Sequence, residues 1–223
     1  MLHVNPETLH THAHTHTHTH THTHNQVVVN NAATHPDGFS YETAQHVLDV
    51  NFFGAQNMIR RLVPARWPEA YTGRWLDAKS GYKGMRKGGC IVNIGCGSSF
   101  AVAGELSGPF SLLRQRFDAC ATETAIVMLL TDYLGQVAAD SHIQAGWPSN
   151  PYLVSKVALQ RLSTVVQESL ECEATKRYET GITCLSVDPG WMRTRMGGPD
   201  APVPVEEAAK LVVSRILAAL HPP

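Results

Sequence analysis

The sequence predicts an α/β fold in which helices cover both faces of a parallel sheet. Three short runs of β-branched and other apolar residues alternate along the chain with longer segments whose apolar residues recur at helical spacing. Strands that alternate with helices in this way pair in parallel through right-handed crossovers. The chain has 223 residues, 43% of them hydrophobic, and a net charge of −1, which suits a single sizeable core.

The composition does not favour nucleic-acid or membrane binding. The longest apolar runs, such as the six residues 125–130, are far shorter than a membrane span, and no charged-then-apolar signal segment opens the sequence. Five cysteines are scattered without a Cys-x-x-Cys pair, so we expect free thiols rather than a disulfide framework or a zinc site. These features predict a cytoplasmic protein.

Residues 1–25 form a low-complexity segment that contains a His-Thr alternation and holds nine of the thirteen histidines. Because neither side of such a segment offers an apolar face, we expect it to be disordered and the folded domain to occupy residues 26–223. Clustered imidazoles could hold zinc, copper or nickel loosely. The alternative is a translated CACACA repeat, which we favour because the alternation is too regular to have been shaped around one ion.

The first half of the domain begins with a strand and a long helical segment. Residues 26–33, QVVVNNAA, read as a buried strand and its exit turn. Ser40 is predicted to cap a helical region that runs to about Val63 and contains Asn51, a residue type that inside a helix usually faces solvent or backbone. Residues 64–87 are rich in Trp, Tyr, Gly and positive charge and are interpreted as a solvated insertion.

The second half supplies two more strands and the remaining helices. Residues 90–94 predict a second buried strand that runs into a Gly-Ser turn, and residues 110–140 look helical without evident chemistry. A third strand is predicted at 182–187, with a Pro-Gly exit. The last helix is predicted at 205–220, where Pro204 precedes it and two glutamates occupy its first turn.

The helix predicted at 147–162 carries the pattern with the clearest chemical meaning. Ser149 or Asn150 can cap it, and Tyr152 and Lys156 lie four residues apart, which places them on one face of the helix. A phenol is a poor proton donor near neutral pH, and a fixed ammonium nearby lowers its pKa. The pair is therefore a candidate general acid, although a core-facing tyrosine beside a solvated lysine would show the same spacing.

Five segments in a fixed order resemble the short-chain dehydrogenase/reductase family. Within that family the chain is most similar to the monomeric, NADPH-dependent carbonyl reductases, and the resemblance extends from Gln26 to about Leu220. The segments are NNAA at 30–33, VNFFG at 50–54, GCIVNI at 89–94, Tyr152 with Lys156, and DPGWMRT at 188–194.

The resemblance implies a Rossmann-like, doubly wound parallel sheet and an oxidoreductase that reduces a ketone, aldehyde or quinone. The hydride would come from NADPH, with NAD as the alternative. It implies that Tyr152 protonates the developing alkoxide, that Lys156 lowers the pKa of Tyr152 and holds the nicotinamide ribose, and that Asn51 anchors a water relay. The implied cofactor-binding residues also include Asn30, Ala32, Pro189, Gly190, Met192 and Thr194, and Trp191 would wall the substrate pocket.

The serine that orients the substrate in this family has two candidate counterparts here. An ungapped alignment places Cys96 at its position, and a thiol is a weak hydrogen-bond donor. A small shift would instead supply Ser98 or Ser99. We favour Ser98 as the catalytic residue, because the glycine-rich turn GCGSS can slide.

The sequence also lacks parts of the family pattern. The opening strand with its TGxxxGxG turn, the next two strand–helix units and the final strand have no counterpart. We therefore expect an incomplete fold that binds the cofactor pyrophosphate poorly and leaves its first and third strands at the edges of the sheet. The expected partner is a small carbonyl compound, and the expected state is a monomer, with edge-to-edge association as the alternative. The rival to an active reductase is a catalytically silent relic or scaffold.

Overall fold

The structure is a computed structural model that describes residues 25–63, 85–96, 109–172 and 181–221. The His-Thr tract, nearly all of the segment predicted as a solvated insertion, and both Ser98 and Ser99 lie outside these ranges. The predictions made for them therefore stay predictions.

The described residues form one parallel sheet, as the sequence predicts. Its strands are β1 (Asn25–Asn30), β2 (Met85–Ile94) and β3 (Thr183–Val187), in the spatial order β1-β2-β3. Val92 of β2 lies opposite Val29 on one side and Leu185 on the other. Among the described strands β1 and β3 are therefore the edges, as expected. Strand β2 begins at Met85 rather than at residue 90, because Met85 pairs with Asn25 beyond a shift in register.

Helices connect and cover the strands. Helix α1 is joined to α2 by a π-turn at Asp49–Phe53, so the segment predicted to follow Ser40 is one helical unit. The helices are α1 (Tyr41–Leu48), α2 (Gly54–Leu62), α3 (Pro109–Asp118), α4 (Glu123–Ala138), α5 (Pro151–Glu171) and α6 (Val205–Leu220). The bounds of α6 are those that the sequence predicts.

The segment predicted as helical at 110–140 is interrupted between α3 and α4. Thr122 has extended backbone angles, and its hydroxyl accepts a hydrogen bond from the Ala125 N–H at 3.1 Å. This is the geometry of a helix N-cap, so a new helix begins here instead of the old one continuing. Asn150 caps α5 in the same way, with its Oδ1 2.9 Å from the Leu153 nitrogen.

The side chains of β2 alternate between two apolar cores. Ile91 belongs to the larger core, which α1, α2, α4 and α5 build on one face of the sheet. Cys90, Val92 and Ile94 belong to a smaller core on the other face, where Val212 and Ile216 of α6 pack against them. Helices thus cover both faces, and the predicted α/β fold class is confirmed. Within the described part of the chain, the helices are too short or too polar to cross a membrane.

One buried polar side chain ties the sheet to α5. Asn93 of β2 is fully buried; its Oδ1 accepts a hydrogen bond from Asn30 Nδ2 at 2.7 Å, and its Nδ2 donates to Ser163 Oγ at 2.8 Å. Buried amides are costly unless they are bonded, and these bonds require α5 to dock in one register on β2.

We expect Leu159→Ala to lower the free energy of unfolding by about 2–5 kcal/mol, because the buried side chain leaves a cavity between α5 and its neighbours. Leu112→Ala on α3 is the matched control, since Leu112 is 54% exposed and its loss should cost less than about 0.5 kcal/mol. Urea denaturation monitored by circular dichroism measures both. Equal losses would contradict the assigned core.

Candidate active site

Helix α5 places Tyr152 and Lys156 together at the carboxyl end of β2. The Lys156 Nζ lies 5.7 Å from the centre of the Tyr152 ring, which is the same-face arrangement that the spacing predicts. The same nitrogen donates a hydrogen bond of 2.8 Å to the carbonyl of Ile94, the last residue of β2. Open α/β sheets bind ligands beyond the carboxyl ends of their strands, so the pair lies where such a site is expected.

Burial affects the two groups in opposite directions. It raises the pKa of Tyr152, and a hydrogen bond with Cys96 and the negative charge of Asp188 add to the increase. Burial lowers the pKa of Lys156 to about 8. Desolvation is the largest cause of the increase, so in this structure the pKa of Tyr152 lies above its ordinary value. The consequence is that Tyr152 stays protonated near neutral pH, the form that a general acid requires. The lowering of this pKa by Lys156 stays a prediction.

The side chain of Asn51 links the exit of β1 to α5. Asn51 is buried within the π-turn, where the Gly54 N–H bonds to the Asp49 carbonyl five residues back. Its Oδ1 accepts a hydrogen bond from the Thr34 N–H at 2.8 Å, and its Nδ2 donates to the Thr34 carbonyl at 3.1 Å and to Ser155 Oγ at 3.0 Å. The amide is thus held on three sides, and it holds the β1 exit loop against the helix that carries Tyr152.

An open pocket of about 220 Å³ lies in front of Tyr152. This volume is somewhat below the usual range for small-molecule sites of roughly 300–1,000 Å³. Six of the site residues predicted from the sequence line this pocket: Cys96, Tyr152, Gly190, Trp191, Met192 and Thr194. Three further lining residues were not predicted: His35, Met196 and Gly197.

The remaining predicted site residues do not line this pocket. Asn30 is engaged in the sheet through Asn93, Ala32 is exposed, and Pro189 is buried. Lys156 lies behind Tyr152, 3% exposed, with its amine on the Ile94 carbonyl. Ser98 lies outside the described residues, so only Cys96 of the two candidate serine counterparts has a place in the described pocket.

The segment that follows β3 forms the opposite wall of the pocket. Gly190 has a φ of +83°, which favours glycine, and its N–H donates to Asp188 Oδ1 at 2.9 Å. Trp191 Nε1 donates to the Gly197 carbonyl at 2.8 Å. A Cβ on Gly197 would overlap the Met192 carbonyl, so the segment can close on itself only if that position is glycine. These contacts fix the orientation of the Trp191 ring.

Little in the sequence marks His35 as a residue of the site. It is one of the four histidines that follow the His-Thr tract, and no motif marks it. Its position five residues after the end of β1 is the one available indication, because residues just beyond a parallel strand face the ligand-binding edge. Met196 and Gly197 lie in the segment after DPGWMRT, and their place in the pocket depends on how that segment folds back.

Comparison with known proteins finds carbonyl reductases. The chain is 29% identical over 203 residues to carbonyl reductase (NADPH) 1 of Rattus norvegicus, and 30% identical over 203 residues to carbonyl reductase (NADPH) 3 of Homo sapiens. Both matches cover 88% of this chain and 63% of the relative, so the chain spans less than two thirds of the length of these curated proteins. No protein-family model matches the sequence.

A solved structure shares the fold. Salutaridine reductase from Papaver somniferum superposes with a TM-score of 0.61 at 19% sequence identity, over 86% of this chain and 68% of that one. The resemblance to short-chain dehydrogenase/reductases that the motifs predict is thereby confirmed, in sequence by the carbonyl reductases and in fold by this neighbour.

We expect Gly197→Ala to destabilise the protein by about 1–3 kcal/mol, because the added methyl group must displace the Met192 carbonyl. Gly135→Ala is the matched control: it lies within α4 with open space around it, and alanine should be neutral or stabilising by up to about 1 kcal/mol. Urea unfolding gives the free energies, and tryptophan emission reports any displacement of Trp191. Equal free energies of unfolding for the two variants would contradict the close contact described between Gly197 and the Met192 carbonyl.

The buried amine of Lys156 should make the free energy of unfolding depend on pH. The pKa of Lys156 is about 8 in the folded protein against an ordinary value of 10.5, so between these values the unfolded chain binds more protons and stability rises with pH. Relative to Lys156→Met, the wild-type free energy of unfolding should increase by on the order of 2 kcal/mol from pH 8 to pH 10. Urea denaturation of both proteins across this range measures the difference. Parallel curves would show that burial does not shift this amine.

Proposed function

We propose that the chain is an NADPH-dependent reductase that converts the carbonyl group of a ketone, aldehyde or quinone to an alcohol, with Tyr152 as the general acid. The observation that carries the proposal is the pair of Tyr152 and buried Lys156, one helical turn apart, with the phenol lining an open pocket at the carboxyl end of β2. The similarity to proteins named as NADPH carbonyl reductases supports it.

The residues of this chain supply the proton and the electrostatic environment. NADPH, when bound, supplies the hydride. Tyr152, which burial keeps protonated, donates its proton to the carbonyl oxygen as negative charge develops there. Because the raised pKa makes the phenol a weaker acid, donation depends on stabilisation of the phenolate that remains. With a pKa of about 8, Lys156 is largely protonated at neutral pH, so its ammonium stabilises the phenolate that remains.

The described residues fit the nicotinamide end of the cofactor. Lys156 uses one of its three N–H groups on the Ile94 carbonyl, which leaves the others for a ribose hydroxyl. Gly190, Met192 and Thr194 line the pocket beside it. Within the described ranges, no glycine-rich turn leads from a strand into a helix to hold the pyrophosphate. NADPH is the proposed cofactor, and NAD is the alternative.

The remaining roles follow the family resemblance. Asn51 would anchor the proton relay that restores the phenol, and its three hydrogen bonds give it a fixed position for this. Cys96 would contact the substrate carbonyl, with Ser98 as the alternative. Asn30, Ala32 and Pro189 would support the cofactor side of the strand ends.

A second candidate is a catalytically silent scaffold. The observation that favours it is the pair of strand edges, because β1 and β3 each pair on one side only among the described residues. Unpaired edges can accept a strand from another chain. Under this alternative the fold persists, but the chain neither binds NADPH nor reduces carbonyl compounds.

We expect Tyr152→Phe to lower kcat by roughly 10²–10⁴-fold, since the variant lacks the acidic proton, with NADPH affinity nearly unchanged. Tyr41→Phe is the matched control, because Tyr41 lies 38% exposed at the start of α1. NADPH oxidation with benzaldehyde, acetophenone and menadione measures turnover, and tryptophan fluorescence measures cofactor binding.

The results of this experiment distinguish an active reductase from a catalytically silent scaffold. Wild-type turnover that survives in Tyr152→Phe would refute the assigned acid. A folded wild-type chain that shows neither NADPH binding nor turnover would favour the scaffold.

A further inference from the structure

We propose that His35 binds the carboxylate of oxo-acid substrates at the mouth of the pocket, so that the chain prefers carbonyl compounds that carry an acidic group a few bonds from the carbonyl. The inference rests on the proposed reductase function, to which it adds a substrate class. Three observations support it: His35 lies against Tyr152, hydrogen bonds hold the backbone next to His35, and the described pocket lining contains no acidic residue.

The imidazole of His35 lies directly against the proposed acid. The ring centres of His35 and Tyr152 are 4.9 Å apart, with their planes inclined at 75°. His35 is exposed, whereas the Tyr152 side chain is partly buried, and both line the same pocket. A small molecule whose carbonyl oxygen accepts the phenol proton therefore has its neighbouring atoms within reach of the imidazole.

The backbone that carries His35 is held in place. Both the N–H and the carbonyl of the preceding residue, Thr34, are hydrogen-bonded to the buried Asn51 side chain at 2.8 and 3.1 Å. Asn51 in turn donates to Ser155 of α5, and the Ser155 hydroxyl donates to the Tyr152 carbonyl at 2.7 Å. One connected set of hydrogen bonds thus positions His35 and Tyr152 relative to each other. A polar contact held in this way orders a ligand at low entropic cost.

The described lining of the pocket carries no acidic side chain that would repel an anion at His35. The ring nitrogens of His35 can donate a hydrogen bond to such an anion. Lys156 is buried behind Tyr152, with its amine on the Ile94 carbonyl. Asp188 is the acidic group whose negative charge acts on Tyr152, but it does not line the pocket, and its carboxylate accepts the Gly190 N–H. Because His35 is exposed, a carboxylate bound there stays partly hydrated and avoids most of the cost of burying a charge.

The rest of the ligand meets an apolar surface. Trp191, Met192 and Met196 line the other side of the pocket, and the Trp191 ring is fixed through Gly197. Methionine side chains adapt to aromatic groups, so an aryl substituent suits this wall. Benzoylformate has the required parts: a carboxylate, an adjacent ketone and a phenyl ring. Its methyl ester keeps the same skeleton without the charge.

The test compares His35→Phe with wild type on benzoylformate and methyl benzoylformate. Phenylalanine keeps a flat ring beside Tyr152 but removes the ring nitrogens that would bind the carboxylate. We expect kcat/KM for benzoylformate to fall about tenfold or more and kcat/KM for the ester to change less than about twofold, because only the acid loses a charge-assisted hydrogen bond. His46→Phe on the exposed surface of α1 is the matched control and should leave both values unchanged.

Ligand binding tests the same contact without turnover. Quenching of tryptophan emission by benzoylformate, without NADPH, should be about tenfold weaker in affinity for His35→Phe than for wild type. If the wild type reduces neither compound but this difference is present, the reductase proposal fails and the His35 site stands. Equal losses for acid and ester, no loss for either, or equal binding to both proteins would overturn the role of His35.

Discussion

The docking of α5 on the parallel sheet is the constraint on which the candidate site depends. Three buried polar side chains of this helix bond to other elements: Lys156 to the Ile94 carbonyl of β2, Ser155 to Asn51 of the π-turn, and Ser163 to Asn93. Buried polar groups are costly when they are unpaired, so these bonds disfavour any other rotation or register of the helix. The apolar face of α5 supplies the attraction to the core, and the polar contacts determine where Tyr152 comes to lie.

Burial has two chemical consequences at this site. It raises the pKa of Tyr152, which keeps the phenol protonated but makes it a weaker acid, and it lowers the pKa of Lys156 to about 8. A lysine in this state still carries its charge at neutral pH but has little water around it, so its attraction for a nearby phenolate is screened less. The same environment therefore holds the proton before transfer and stabilises the charge that transfer leaves.

The two walls of the pocket come from chain segments that are far apart in sequence. The loop after β1 contributes His35, and the segment after β3 contributes Trp191 and the methionines. Each is held by local bonds, the first through Asn51 and the second through the Trp191–Gly197 contact. In the parallel arrangement β1-β2-β3 both loops emerge at the same edge of the sheet, which is why they face each other across Tyr152.

The sequence alone determined the elements whose signals are local. Helix α6 ends where its apolar spacing does, and a four-residue spacing was enough to place Tyr152 and Lys156 on one face. The tertiary structure alone decided that His35 borders the pocket and that burial raises the pKa of Tyr152. Helical spacing acts within one turn of the chain, whereas desolvation and loop contacts depend on what other segments bring near, and a linear pattern does not contain that information.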